Sequence, residues 1–159
     1  MRHNTERLGL RPIELAYFVI GVILLLILAI VANGQTGHSQ AQPLYREYRG
    51  VRLGMTAEEA RAKLGVPAMK SDEQDFYVFS VNESAQLVYA EQKVVTISTD
   101  YTSGVGAPDY KSVVGEGLLQ RPDGSLFRMV LHDSERFWVS YNKSASEMFV
   151  VTITIGKMK

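Results

Sequence analysis

Few residues in this chain have the types and spacing that catalysis or metal binding requires. The histidines His3, His38 and His132 are too far apart for the sequence to place any two of them together in a metal site. The acidic segment 72–75 lacks the alternating oxygen ligands and the glycine of a calcium loop, so we interpret it as a solvated loop. These residues predict no catalytic group, no metal site and no cofactor.

The remaining motifs do not indicate an enzyme either. The segment Gly104-Val105-Gly106 lacks the third glycine of a dinucleotide fingerprint and the Gly-Lys-Ser/Thr of a phosphate loop. The serines in strand-like segments are not part of a nucleophile elbow. The chain contains no cysteine, which excludes disulfides, thiolate nucleophiles, thiolate metal ligands and lipid attachment through cysteine. We therefore predict a protein without catalytic activity.

Composition and charge narrow the classes of partner. The chain has 159 residues, with 17 Lys and Arg against 17 Asp and Glu. This balance gives no net field that would attract nucleic acid, so nucleic-acid binding is not predicted.

The longest apolar segment runs from Leu15 to Ala32, includes Gly21 and Leu25, and contains no charged residue. As a helix it would be about 27 Å long at about 1.5 Å per residue, which is close to the hydrocarbon thickness of a bilayer. A buried core helix would show a polar face, and a cleaved signal peptide would have a shorter apolar run and a small-x-small cleavage site. We predict an uncleaved transmembrane helix with the lipid bilayer as its partner, and a cleaved signal peptide remains the alternative.

Basic residues beside this helix predict its orientation. Arg2, Arg7 and Arg11 precede the helix, whereas residues 33–45 contain no Lys or Arg. Because Lys and Arg are retained on the cytoplasmic side, we place the N-terminus in the cytoplasm and the rest of the chain outside the inner (cytoplasmic) membrane. The expected order is a tail at 1–14, the transmembrane helix at 15–32, a flexible linker at 33–47 and an extracytoplasmic domain at 48–159.

The clearest local signal in the domain predicts a two-turn helix. Thr56 is a good N-cap, and Glu59 can complete a capping box with it. Gly65 suits a left-handed terminator, and Pro67 prevents the helix from continuing. Small apolar residues on one face of this helix indicate close packing against a sheet.

Two sets of three strands, each preceded by a helix, follow from the aromatic and β-branched segments. The first set is predicted at Phe76–Val81, Leu87–Tyr89 and Val94–Tyr101, and the second at Leu126–Leu131, Phe137–Tyr141 and Met148–Ile155. A second short helix is predicted from Asp109 to Val114, ended by Gly115. This order predicts an α+β fold in which short helices form one layer on an antiparallel sheet. It also indicates a duplicated helix-plus-three-strand unit, with halves at 48–103 and 104–159.

The helix motif also carries a family resemblance. The residues concerned are Gly54, Met55, Thr56, Glu59, Leu64, Gly65 and Pro67. This segment, with the strands up to residue 101, resembles the opening of the SmpA/OmlA (BamE-like) envelope domain, which is related in fold to the β-lactamase-inhibitor protein. The chain lacks the lipidated cysteine of that family. The resemblance implies a bacterial, non-enzymatic interaction module that binds an envelope protein or a cell-wall component.

Aromatic residues on the predicted strands are the candidate partner contacts. Strand alternation places Trp138 on the face opposite Phe137 and Tyr141, beside polar residues. Because Trp and Tyr are enriched at interface hot spots, we predict that Trp138, Tyr89 and Tyr77 contact a partner. An inhibitor-like module that binds an extracytoplasmic enzyme, and a domain that binds a small ligand, remain alternatives.

Overall fold

The computed structural model describes residues 45–115 and 117–159. The predicted tail at 1–14, the predicted transmembrane helix at 15–32 and most of the linker at 33–47 lie outside the described residues. The membrane-spanning positions Leu15, Gly21, Leu25 and Ala32 therefore stay predictions. Among the described residues, no helix has the length and apolar character needed to cross a bilayer.

In the part of the chain that the structure describes, two short α-helices form where the sequence signals place them. Helix α1 is Ala57–Leu64, and its N-cap Thr56 accepts a hydrogen bond from the amide of Glu59 while the Glu59 carboxylate accepts one from the amide of Thr56. The helix ends at Gly65, which has a φ of 86°. Helix α2 is Tyr110–Val114, with Asp109 as its N-cap. Both helices are therefore specified by local side-chain contacts and by glycine at the C-terminal cap.

The described residues form ten strands in two antiparallel sheets. Strands β1 (Glu47–Tyr48) and β2 (Val51–Arg52) pair with each other. The other strands are β3 (Met69–Lys70), β4 (Gln74–Val78), β5 (Glu83–Ala90), β6 (Lys93–Thr102), β7 (Leu119–Gln120), β8 (Leu126–His132), β9 (Phe137–Lys143) and β10 (Val150–Lys157). They form one sheet in the order β3-β4-β5-β6-β10-β9-β8-β7. The strand order is thus symmetric about the central β6–β10 pair.

The hydrophobic core lies on one face of the eight-stranded sheet. Alternate residues of the central strands, such as Leu87, Ile97 and Ile153, point to this face and are at most 1% exposed. Ala57 and Ala60 of α1 and the valines of α2 complete the core, since the small alanine side chains allow the helix backbone to approach the strands. We call this the covered face and the opposite side the open face.

The β1–β2 hairpin is attached to the sheet through polar contacts at its turn. The Tyr48 hydroxyl donates to Glu83 at 2.8 Å, and Arg49 Nη2 lies 2.7 Å from the same carboxylate. The Arg49 guanidinium also lies 4.2 Å from the centre of the Phe79 ring. Burial alone would raise the pKa of Glu83, but the hydrogen bonds from Arg49 and Tyr48 outweigh it and hold that pKa below its usual value.

The expected fold class is wrong. Strands hold 47% of the described residues and helical segments 14%, with only two α-helices, so the domain is mainly antiparallel β. The expected repeating unit is also wrong, because each helix is followed by four strands of the large sheet and not by three. Strands β3 and β7 have two residues each, too few to show an alternating pattern, and they form only by pairing with β4 and β8. Strand β5 begins at Glu83, four residues before the predicted strand Leu87–Tyr89, because polar residues such as Ser84 lie on its open face.

Candidate functional site

The predicted contacts Tyr77 and Tyr89 are not on the surface. Tyr77 is 2% exposed and Tyr89 is 6% exposed, and both point to the covered face. Their hydroxyls donate to the same carboxylate oxygen, Asp75 Oδ2, at 3.3 and 2.7 Å. The prediction that they contact a partner is therefore corrected: strand alternation turns them toward the core, where they bind a buried acid.

Asp75 is the centre of this buried network. It is fully buried in β4, although the sequence indicated a solvated loop. Arg61 of α1 binds it with two hydrogen bonds, from Nε at 2.8 Å and from Nη2 at 3.0 Å. Arg61 also donates to the carbonyl of Ser71. The network joins α1 to strands β4 and β5, so its geometry explains how the helix is held on the sheet.

Electrostatics in the network keep Asp75 charged and the tyrosines neutral. Burial by itself raises the pKa of Asp75, but the hydrogen bonds from Arg61 and Tyr89 outweigh it and lower that pKa below its usual value. Burial and the adjacent carboxylate raise the pKa of Tyr77 to about 12, and the same causes raise the pKa of Tyr89. A buried acid that accepts four hydrogen bonds in this way is suited to positioning α1.

Trp138 has a different environment from the two tyrosines. It lies on the open face of β9 and is half-buried. Its indole lies directly over Gly156 of β10, where a Cβ would come within 2.3 Å of two ring carbons. Leu131 of β8 is the cross-strand partner on its other side. The glycine therefore makes the space in which the only tryptophan of the chain is held against the sheet.

Three long rows of side chains run across the strands on the open face. The register aligns Leu131, Trp138, Gly156, Thr96, Val88 and Gln74 in one row. It aligns Met129, Ser140, Thr154, Ser98, Gln86, Phe76 and Met69 in the second, and Leu119, Phe127, Asn142, Thr152, Asp100, Ser84 and Val78 in the third. The centre of the face is thus rich in Ser and Thr, and apolar residues lie toward both edges.

The β8 edge of this face carries an exposed apolar group. We define the β8 patch as Leu119, Phe127, Met129, Leu131 and Trp138. Leu119 is 65% exposed, Met129 46% and Leu131 54%. Contiguous exposed apolar surface of this kind marks interaction sites in soluble domains.

A separate open cleft of about 590 Å³ lies at one end of the sheet. Five basic side chains line it, namely Arg46, Arg52, Lys93, Arg136 and Lys157. They come from the segment around β1 and β2, the start of β6, the start of β9 and the end of β10. Antiparallel pairing brings the ends of β6, β9 and β10 together, and backbone hydrogen bonds from Gly54 and to Met55 attach the segment after β2 to β6 at the same end, although these segments are distant in sequence.

Sequence reasoning missed both the Asp75 network and the basic cleft. For Asp75, the spacing of two residues from Tyr77 was a usable signal, because it places both side chains on the same face of a strand. For the cleft no local signal exists.

Within residues 45–115 and 117–159, no group of three His, Cys, Asp or Glu side chains could hold a metal ion. No family model matches the chain, and neither do any of the curated proteins or solved structures compared with it.

Proposed function

We propose that this chain is a membrane-anchored, non-catalytic interaction module that binds a partner protein through the open face of its sheet. One observation carries this proposal: the β8 patch lies beside rows of hydroxyl side chains on a single face that no helix of the described residues covers. An apolar centre with adjacent hydrogen-bonding groups is the usual composition of a protein interface.

The β8 patch suits a protein surface because its central aromatic is already held in place. The Trp138 ring packs over Gly156, so it has little conformational freedom left to lose on binding. Tryptophan surrounded by aliphatic side chains is a common hot spot of interfaces. The patch therefore supplies both the apolar area and the rigid anchor.

The hydroxyl rows supply the polar part of the interface. Ser98 and Thr154 lie 3.1 Å apart across β6 and β10, and the Thr152 hydroxyl donates to Asp100 at 2.6 Å. Each of these groups has acceptor capacity beyond the bond that it makes here. A partner can therefore form hydrogen bonds with the face without leaving buried polar groups unsatisfied.

The location of the module is proposed from the sequence. The uncharged segment 15–32 supports a membrane anchor, and the resemblance of Gly54–Pro67 to the BamE-like domain supports an envelope location. Between an envelope protein and a cell-wall component, the exposed apolar side chains of the β8 patch favour the protein.

Photo-crosslinking of the full-length chain in its host cells tests this function. A photoreactive residue at position 131 is expected to capture one identified envelope protein. The control is position 66, because Val66 is also apolar and is 95% exposed but follows α1 and is not part of the sheet. Capture of the same protein from both positions would contradict an interface at the open face.

A charge substitution in the β8 patch is a second test of the interface. Met129→Asp places a carboxylate on an exposed position of the interface, and we expect the crosslink from position 131 to fall by about tenfold or more. Val78→Asp, on β4 at the other edge of the same face, is the matched control, since Val78 is 59% exposed. Unchanged crosslinking in Met129→Asp, with an unfolding midpoint equal to that of the wild type, would exclude the patch.

The same experiment separates an adaptor from an inhibitor. If the captured protein is an enzyme, its activity is measured with and without the purified full-length chain. Loss of activity that Met129→Asp restores would assign the inhibitor-like alternative, whereas unchanged activity would assign the adaptor.

A further inference from the structure

The basic cleft is distinct from the open face and needs its own explanation. It lies at the end of the sheet where β6 begins and β10 ends, and it contains no residue of the β8 patch. Its acidic lining residues are Glu91 and Glu135, against five basic ones. The cleft therefore has an excess of positive charge in a chain that is neutral as a whole.

Most of this positive charge is not neutralised by neighbouring side chains. Arg52 pairs with Glu47, with Nε to Oε2 at 2.6 Å, and Arg136 Nη2 donates to the carbonyl of Lys159 at 2.9 Å. Arg46, Lys93 and Lys157 take part in none of the ion pairs formed among the described residues. Like charges that converge without partners repel each other, and a bound anion would remove this cost.

The backbone fixes the positions of these groups. Lys93 follows a tight turn in which Glu91 and Gln92 both have positive φ, 52° and 60°, a conformation that non-glycine residues seldom adopt. The amide of Gly54 donates to the carbonyl of Val94, and the amide of Val94 donates to the carbonyl of Met55, each at 2.8 Å. These two hydrogen bonds hold the turn in place. The backbone of Arg136, which follows the 3₁₀ helix Asp133–Glu135, is also in the left-handed region, with a φ of 57°. Lys93 thus directly follows a left-handed turn, and Arg136 is itself left-handed with its carbonyl bonded to the amide of Met158 at 2.9 Å.

We propose that this cleft binds a phosphate-bearing anion. Arg and Lys together bind phosphate through charge-assisted hydrogen bonds, and a phosphate group with two negative charges matches the excess of cations better than a single carboxylate does. A volume of about 590 Å³ is within the usual range for small-ligand sites, so the phosphate can belong to a larger molecule. The source is either a soluble phosphate compound or the headgroup of an anionic phospholipid.

Calorimetric titration of the full-length chain with inorganic pyrophosphate, in non-ionic detergent micelles, tests the site. We expect saturable binding that weakens as salt is raised. The double variant Lys93→Gln/Lys157→Gln removes two unpaired cations and is expected to weaken binding by about tenfold or more. Lys70→Gln, on the edge strand β3 and outside the cleft, is the matched control and should bind as the wild type does.

The other outcomes are equally decisive. No binding of pyrophosphate, or equal loss in Lys70→Gln and in the double variant, would overturn the proposal. Citrate that binds as tightly as pyrophosphate would overturn the phosphate assignment. Thermal unfolding of each variant is the folding control: an unfolding midpoint equal to that of the wild type shows that lost binding does not come from a lost fold. The single variant Arg46→Gln, at the edge of the described chain, gives an independent measure if the double variant unfolds.

Addition of an anionic phospholipid to the micelles distinguishes the two sources of phosphate. If the lipid competes with pyrophosphate in the wild type and not in the double variant, the site takes a lipid headgroup. If pyrophosphate binds equally well with and without the lipid, the site takes a soluble phosphate. This test uses no residue of the β8 patch, so its result is independent of the proposed protein partner.

Discussion

A single buried carboxylate, Asp75, determines how the first helix is attached to the sheet. It receives hydrogen bonds from Arg61, Tyr77 and Tyr89, and it is fully buried while the Arg61 side chain remains 21% exposed. Removing one partner of a buried ion pair leaves the other charge uncompensated, which costs more than the pair contributes. Asp75 is therefore the residue whose substitution should affect stability most directly.

The lowered pKa of Asp75 predicts a pH dependence of stability. A carboxyl group whose pKa is lower in the folded than in the unfolded state stabilises the fold above its ordinary value of 3.8, and this contribution is lost as pH falls below that value. Asp75→Asn should lower the free energy of unfolding at neutral pH by about 3 kcal/mol. The difference between variant and wild type should then shrink as pH falls below 4. Urea unfolding at several pH values measures this.

Two features of the chain make this comparison specific. Asp72→Asn is the control, because Asp72 is exposed in the loop before β4 and should leave the unfolding free energy nearly unchanged. Glu83 also has a lowered pKa, so it contributes to the pH dependence of the unfolding free energy in both the wild type and Asp75→Asn. Only the difference between these two proteins therefore reports on Asp75. A difference that is independent of pH would show that Asp75 acts through packing and not through its charge.

At the scale of elements, α1 depends on its N-terminal cap. The cap is the reciprocal contact between Thr56 and Glu59, and the segment just before it is bonded to β6 through Gly54 and Met55. A cap at this position therefore orders both the helix and its junction with the sheet.

Thr56→Ala is expected to reduce the free energy of unfolding by about 1 kcal/mol, because the amide of Glu59 loses its acceptor. Thr56→Ser keeps the acceptor oxygen and should retain most of the stability. Chemical denaturation of the two variants beside the wild type checks this. Equal losses in both would mean that the threonine methyl group, and not the cap, is responsible.

At the scale of the whole molecule, the sheet is organised from its centre outward. Strands β6 and β10 are paired on both sides by long strands, whereas the edge strands β3 and β7 have two residues each. The covered face buries the apolar residues of the central strands, and the open face has no such cover among the described residues. Local opening should therefore begin at the edges.

Hydrogen exchange measured on the full-length chain tests this organisation. The amides of β6 and β10 that bond to each other should exchange most slowly, with free energies close to that of global unfolding. The amides of β3 and β7 should exchange fastest among the strands. Slow exchange along β8 that depends on protein concentration would instead indicate that its exposed edge pairs with a second copy of the chain.

The sequence by itself determined the local features of this protein. The contacts of Thr56 and Asp109 and the glycines at 65 and 115 set the helix bounds, because caps depend on residues within one turn. Alternating aromatic and β-branched residues located most of the long strands. Only the tertiary structure decided the strand order, the burial of Asp75 with Tyr77 and Tyr89, the position of Trp138 over Gly156 and the convergence of Lys93 with Lys157. These depend on pairing between segments up to 60 residues apart, and neither the register nor the covered face is encoded within any one segment.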